Sequence, residues 1–232
     1  FEIQDTPAIA EAAKKRGCFV MTDNTWATGL YDKPFELGCD VSIHAATKYI
    51  VGHSDAMLGA ITCTKEAFGP IREAWDLLGV AAAPDDVYLG TRGVRTMAVR
   101  LAQHHKNGLE VAEWLESRPE VIRVLHPALP SNPYHALWQR DVTGASGLFA
   151  FVMQPASEEQ LAAYFDGLEL FGMGSSWGGY ESLMTPNDPS DYRTATNWRA
   201  EGPLIRLHVG LENPADLIAD IEAGFGRIKA LG

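Results

Sequence analysis

Short, almost wholly apolar runs separated by breaker-rich links limit the fold of this chain more than any other feature. Strands are predicted at 18–22, 41–44 and 57–63, the last reading Met57-Leu58-Gly59-Ala60-Ile61-Thr62-Cys63. Apolar strands of this length beside helices suit a sheet covered on both faces, mainly parallel. A first helix follows from Thr6 as cap and Pro7 at its first position, with Ile9, Ala12 and Ala13 on one face. Lys14, Lys15 and Arg16 suit the negative end of its dipole, and Gly17 closes it. A second helix is expected from about Thr64 to Leu78, ending in the breaker-rich link Gly79–Pro84.

From about Asp85 to Ser117 a long helical pattern carries Val94, Met97, Leu101, Leu109, Ala112 and Leu115 on one stripe. Beyond it, strands are predicted at 121–125, 147–153, 170–173 and 204–211, alternating with helices at about 157–166 and 213–230. The last helix has Asn213 as cap, Pro214 at its first position, and Leu217, Ile221, Phe225 and Ile228 facing a core. Thr185–Pro203, rich in Pro, Asn and Asp, reads as an irregular loop at a site rim. The fold class is α/β with a small α+β domain behind it. The boundary is placed near residue 95, giving units of 1–94 and 95–232.

Composition narrows the function. A net charge of −11 opposes nucleic-acid binding, which needs basic clusters. No apolar run approaches membrane-spanning length. Cys18, Cys39 and Cys63 are odd in number and sit in strand-like settings, so reduced thiols are expected. No metal is expected, because the adjacent pair His104-His105 points two ways on a helix. A nucleotide-binding α/β protein is disfavoured, since no G-x-G-x-x-G or P-loop lysine follows a strand.

Ligands of open α/β sheets gather at the carboxyl ends of strands. Two ionisable residues fall there. Cys18–Thr22 ends at Asp23-Asn24-Thr25-Trp26, and Val41–Ile43 leads into His44-Ala45-Ala46-Thr47-Lys48-Tyr49-Ile50. An Asp after a strand is ordinarily a cap or turn residue, and a lysine is ordinarily a solvated charge. The small and apolar residues around Lys48 instead suit a desolvated amine with a lowered pKa. A pyridoxal phosphate (PLP) site needs such a pair: the lysine links to the cofactor aldehyde, and the carboxylate keeps the pyridine nitrogen protonated. Arg206 leaves the apolar context Leu204-Ile205-Arg206-Leu207 and needs a carboxylate partner, either a structural acid or a substrate.

Four separated segments resemble the Cys/Met-metabolism family of fold-type I PLP enzymes. They are Asp23–Trp26, Ala46–Tyr49 with Gly52-His53-Ser54-Asp55, Ser176-Trp177-Gly178-Gly179-Tyr180-Glu181-Ser182, and Leu204–Glu212. The resemblance runs in order along essentially the whole chain. It implies the end of a fold-type I large domain followed by a small C-terminal domain. It also implies a chain that begins part-way along such an enzyme. The phosphate loop, the ring-stacking aromatic and a Tyr/Arg pair lent by a neighbouring subunit would then lie elsewhere, and this segment alone would be inactive.

By the same resemblance Lys48 is the catalytic residue, and Asp23, Thr47 and Lys48 hold the cofactor. Arg206 takes the substrate α-carboxylate with Ser176 and Trp177, although Trp177 equally suits packing. Relatives often have Ser where this chain has Ala45, so one phosphate hydroxyl is missing. His53 or Asp55 is expected to brace the Lys48 loop, and Arg92, Arg95 and Arg100 to form surface or intersubunit ion pairs. The implied reaction is β-elimination of a cystathionine-like substrate to thiol, pyruvate and ammonia, in a cytoplasmic homotetramer. Tyr180 and His208 favour it over the family's γ-eliminating and γ-replacing activities. A catalytically dead interaction module is the alternative of another class.

Overall fold

The computed structural model describes residues 1–199 and 201–232. Helix α1 (Thr6–Lys14) is capped by Asp5, one residue earlier than expected, because the Asp5 carboxylate accepts the Ala8 N–H. Strand β1 (Met21–Asp23) is followed by a single helical turn, α2 (Thr28–Tyr31), absent from the sequence reading. Strands β2 (Val41–Ala45) and β3 (Gly59–Cys63) complete a three-stranded sheet in the order β1-β2-β3. β1 pairs with β2 in parallel, and β2 with β3 antiparallel. The sheet within this chain is therefore mixed rather than mainly parallel. The physical reason is the link from β2 to β3, a loop at 46–58 with no crossover helix, which returns the chain along its own strand.

Helix α3 (Lys65–Leu78) starts at the Thr64 cap and ends at Gly79 in the left-handed conformation. The expected long helix at 85–117 is two helices, α4 (Pro84–Val94) and α5 (Met97–Glu116). They break at Arg95-Thr96, where the Gly93 carbonyl accepts from the Thr96 N–H and hydroxyl and from Arg100. The inward face of α5 also differs from the expected stripe. Leu101, Ala112 and Leu115 are buried, but Val94 is exposed, and Arg100, His104 and Asn107 go inside. Apolar periodicity misses such positions because polar groups enter a core only where tertiary partners meet them.

Strand β4 (Val121–Leu125), helix α6 (His135–Asp141), strand β5 (Leu148–Met153) and helix α7 (Glu158–Asp166) follow. Ser157 and Gln160 close a reciprocal capping box on α7. Strands β6 (Gly172–Met173), β7 (Leu183–Asn187) and β8 (Leu204–His208) precede helix α8 (Pro214–Ala230), capped by Asn213. The second sheet has the order β4-β5-β8-β7-β6. The segment read as loop from Thr185 begins as strand, with Thr185, Pro186 and Asn187 opposite Arg206, Ile205 and Leu204. Beyond Met184 no strand flanks β7 on its other side among the described residues, so Pro186 sits at an edge that needs no donor. Ala200, also within that predicted loop, lies outside the described residues.

One face of this sheet carries the main core. Phe149, Phe151 and Met153 of β5 and Ile205 and Leu207 of β8 pack on Val111 and Leu115 of α5, Tyr164 of α7, and Leu217, Ile221 and Phe225 of α8. The last helix thus uses its expected face. The two sheets meet through polar bonds: Trp26 Nε1 donates to Leu148 O (2.9 Å), and Thr143 N to Tyr31 O (2.9 Å).

Candidate active site

The loop after β2 is wound on its own backbone. Lys48 N donates to Ala45 O (3.0 Å), Val51 N to Ala46 O (2.8 Å) and Gly52 N to Lys48 O (2.7 Å). Ala46, Tyr49 and Val51 are buried, which anchors the loop and leaves Lys48 half-buried at its turn. Arg100 supports it from beneath, donating to Tyr49 O (2.8 Å), Ile50 O (3.3 Å) and Gly93 O (2.8 Å). The expected ion pair at Arg100 is therefore absent among the described residues; the guanidinium satisfies backbone carbonyls instead. Gly52, at φ +74°, is required there, because a Cβ would collide with that guanidinium. His53 Nδ1 lies 2.7 Å from Val51 O, so of His53 and Asp55 it is His53 whose side chain bonds the loop backbone among the described residues.

Lys48 Nζ donates to Ser176 Oγ (2.9 Å) and lies 5.4 Å from the Trp177 ring centroid. Two residues 128 positions apart meet here because the turn between β6 and β7 folds onto the loop after β2. Gly178, at φ +82°, allows the approach: a Cβ would stand 2.9 Å from three Lys48 atoms. Its neighbour is thus the Lys48 backbone itself. Trp177 also packs on buried Tyr49, ring centroids 5.6 Å apart. Burial lowers the Lys48 pKa, and the positive charge of Arg206 lowers it further.

Asp23 ends β1 opposite Ile43 of β2 and is exposed. Its Oδ1 accepts the Thr25 N–H (2.9 Å) and hydroxyl (2.5 Å), leaving Oδ2 uncommitted among the described residues. Thr25 Oγ1 in turn accepts the Ala45 N–H (2.8 Å), so this buried hydroxyl ties the carboxylate to the start of the Lys48 loop. The sequence reading missed Thr25. Thr47 Oγ1 accepts the Leu58 N–H (2.9 Å) and donates weakly to Leu58 O (3.3 Å), closing the loop onto the approach to β3.

Arg206 sits mid-strand on β8, between Ala150 of β5 and Thr185 of β7. It donates to Ser175 O (2.6 Å), next to Ser176. Burial lowers its pKa, while Tyr192 works in the opposite direction. No carboxylate among the described side chains lies within 4 Å of it, so the structural ion pair has no representative there. Lys48, Ser176, Trp177 and Arg206 therefore gather in one place; Asp23, on the neighbouring strand, is tied through Thr25 to the start of the Lys48 loop, and Thr47 bonds that loop's far end at Leu58. Arg100, His104 and His208 were not read as parts of this neighbourhood. Arg100 was expected in a surface or intersubunit ion pair and His104 was weighed only as a metal ligand; their four-residue spacing on α5 is the signal of a shared face.

The model of the family described as "Cys/Met metabolism PLP-dependent enzyme" matches residues 1–226. The chain belongs to that family. It is 49% identical over 234 residues to cystathionine beta-lyase MetC of Escherichia coli (strain K12), covering 98% of this chain and 59% of that protein. To the cystathionine beta-lyase of Salmonella typhimurium it is 46% identical, again over 98% of this chain and 59% of the relative. A crystal structure of cystathionine gamma synthase from Xanthomonas oryzae pv. oryzae, in complex with aminoacrylate and cysteine, superposes with a TM-score of 0.90 at 34% identity. It covers 99% of this chain and 60% of that one. The chain thus spans about 59% of the length of the curated relatives it matches.

Pyridoxal phosphate is the family's cofactor, and the residues present fit it. Lys48 offers an amine with no carboxylate partner among the described residues, in a setting that favours the neutral, nucleophilic form. Asp23 offers a free carboxylate oxygen at the end of the neighbouring strand.

Proposed function

We propose that the protein containing this chain is a PLP-dependent carbon–sulfur lyase that cleaves L-cystathionine to homocysteine, pyruvate and ammonia. The observation that carries this reading is the meeting of Lys48, Ser176, Trp177 and Arg206, in a chain 49% identical to a cystathionine beta-lyase. When bound, the cofactor supplies an electron sink for the pair left when the substrate Cα–H breaks. Lys48 would hold it covalently, Asp23 would pair with its ring nitrogen, and Thr47, whose hydroxyl now donates only a long bond to Leu58 O, would contribute a phosphate contact.

Arg206 binds the substrate α-carboxylate through its planar fork, with Ser176 and Trp177 beside it. With its amine free, Lys48 Nζ would take the substrate Cα proton as general base. Its depressed pKa favours the neutral amine that this step requires. Ser176 Oγ, which accepts from that amine, holds Nζ near the carboxylate end of the substrate.

No described helix is long and apolar enough to cross a membrane, and a cytoplasmic homotetramer is part of the proposal. So is a division into 1–94 and 95–232, supported by the α4/α5 break and by the separate core of the second sheet. Product analysis with the full-length protein and L-cystathionine tests the reading. Pyruvate with homocysteine is expected. Formation of 2-oxobutyrate with cysteine would move the assignment to the γ-eliminating relatives, and an intact protein that bound no cofactor would support the interaction module. Borohydride reduction and peptide mapping should label Lys48.

A further inference from the structure

Two buried histidines lie behind the Ser176–Gly179 turn. His208, two residues beyond Arg206 and on the same face of β8, is 1% exposed, and His104 of α5 is fully buried. Their ring centroids are 5.1 Å apart. His208 Nε2 lies 3.1 Å from both Gly178 N and Gly179 O. His104 Nδ1 lies 3.0 Å from Val209 O. His104 Nε2 and His208 Nδ1 are buried with no partner among the described residues.

Hydrogen-bond chemistry assigns the protons. A carbonyl only accepts, so His104 Nδ1 carries hydrogen, and its Nε2 is a lone pair once the ring is neutral. Both rings are neutral near pH 7, since burial lowers the pKa of His104 to about 4 and of His208 to about 3. His208 Nε2 cannot at once accept from Gly178 and donate to Gly179. Acceptance from Gly178 pairs that backbone N–H and leaves the Gly179 carbonyl under-satisfied. His208 then carries its proton on Nδ1, which meets no acceptor among the described residues.

We propose that His208 is a positioning residue for substrate binding. Its Nε2 lone pair holds Gly178 N–H, and thereby sets Ser176 and Trp177 against Lys48, with the His104 ring packed beside it. This rests on the reading of Arg206, Ser176 and Trp177 as the substrate-carboxylate site. His208 touches no reacting atom; it acts through the turn. Its place two residues from Arg206 couples the two sides of the carboxylate site along one strand.

The test uses the full-length holoenzyme with glycine, an amino acid lacking a β-leaving group, titrated by calorimetry beside steady-state kinetics on L-cystathionine. His208→Leu should raise the glycine Kd and the cystathionine KM about tenfold and lower kcat less than about threefold, with cofactor content unchanged. His208→Gln, whose amide oxygen reaches the Nε2 position, should keep the Kd within about threefold of wild type. His208→Asn reaches only the Nδ1 position and should behave like Leu, which covers the case in which the Leu variant does not fold. Equal weakening by Gln and Asn, or wild-type binding by Asn, would overturn the proposal. Failure of the functional reading shows differently: wild type would then release no pyruvate from cystathionine, while the glycine titrations would still rank the variants.

Discussion

The two sheets of this chain handle similar strands in opposite ways. β5 of the second sheet is buried at every residue, between the helices on one face and a smaller apolar cluster on the other. β3 of the first sheet, Gly59-Ala60-Ile61-Thr62-Cys63, exposes Gly59, Ile61 and Thr62. The second region therefore carries a core that α5, α7 and α8 close over, whereas the first contributes strand ends and a loop bearing ionisable groups. Chemistry is concentrated where packing is thin, and the thick core supplies the platform. Arg206 and His208 reach the Lys48 loop because β8 is clamped in the middle of a packed sheet.

The largest effect should separate the regions most cleanly. Lys48→Ala in the full-length protein should cut turnover by about 10³-fold or more and leave thermal stability nearly unchanged. Retained turnover would remove Lys48 from the centre of the reaction. In the other region, Phe225→Ala should cost about 3–5 kcal/mol in urea unfolding, by opening a cavity against Tyr164, Phe151 and Trp114. Ile61→Ala in this 232-residue chain should change stability by less than about 0.5 kcal/mol. Comparable losses at the two positions would erase the contrast.

The second region should also be the more acid-sensitive. His104, His126 and His208 are buried and neutral, with pKa values lowered by burial to about 4, 3 and 3 from 6.5. The unfolded chain then binds more protons below pH 6.5, so stability is complete above that pH and falls as pH drops toward 4. The expected loss is on the order of 2–3 kcal/mol for each histidine, measured from urea unfolding curves at pH 7 and 4.5. His126→Asn, which keeps an acceptor for the Ala128 N–H, should flatten the dependence. A smaller effect probes the seam: Arg100→Ala should cost about 2 kcal/mol by leaving the Tyr49 and Ile50 carbonyls unmet. It should weaken cofactor retention in the full-length protein before it weakens the second core, and limited proteolysis cutting first near Lys48 would show that order.

Much of this was legible without coordinates. Lys48, Asp23 and Arg206 stood out as charged groups in apolar settings, but residue chemistry left a cap, a surface charge and a structural ion pair open, and only the order of the four motifs gave them their proposed roles. Helix α8 was readable to its cap, since Asn213, Pro214 and the 217, 221, 225 spacing are all local signals. The split between α4 and α5, the strand at Leu183–Asn187 and the antiparallel turn of β3 were not. Each depends on a neighbour that sequence does not display: the Lys48 loop beneath Gly93, β8 beside Pro186, and β2 beside β3.

Sequence alone determined the chemical inventory and the periodic elements, because residue type and local spacing carry both. Tertiary structure decided which distant groups meet. Ser176 reaches Lys48 across 128 residues, Thr25 ties Asp23 to Ala45, and Arg100 turns inward to backbone carbonyls. These bonds join groups from separate elements, and their partners exist only once both sheets have folded against each other.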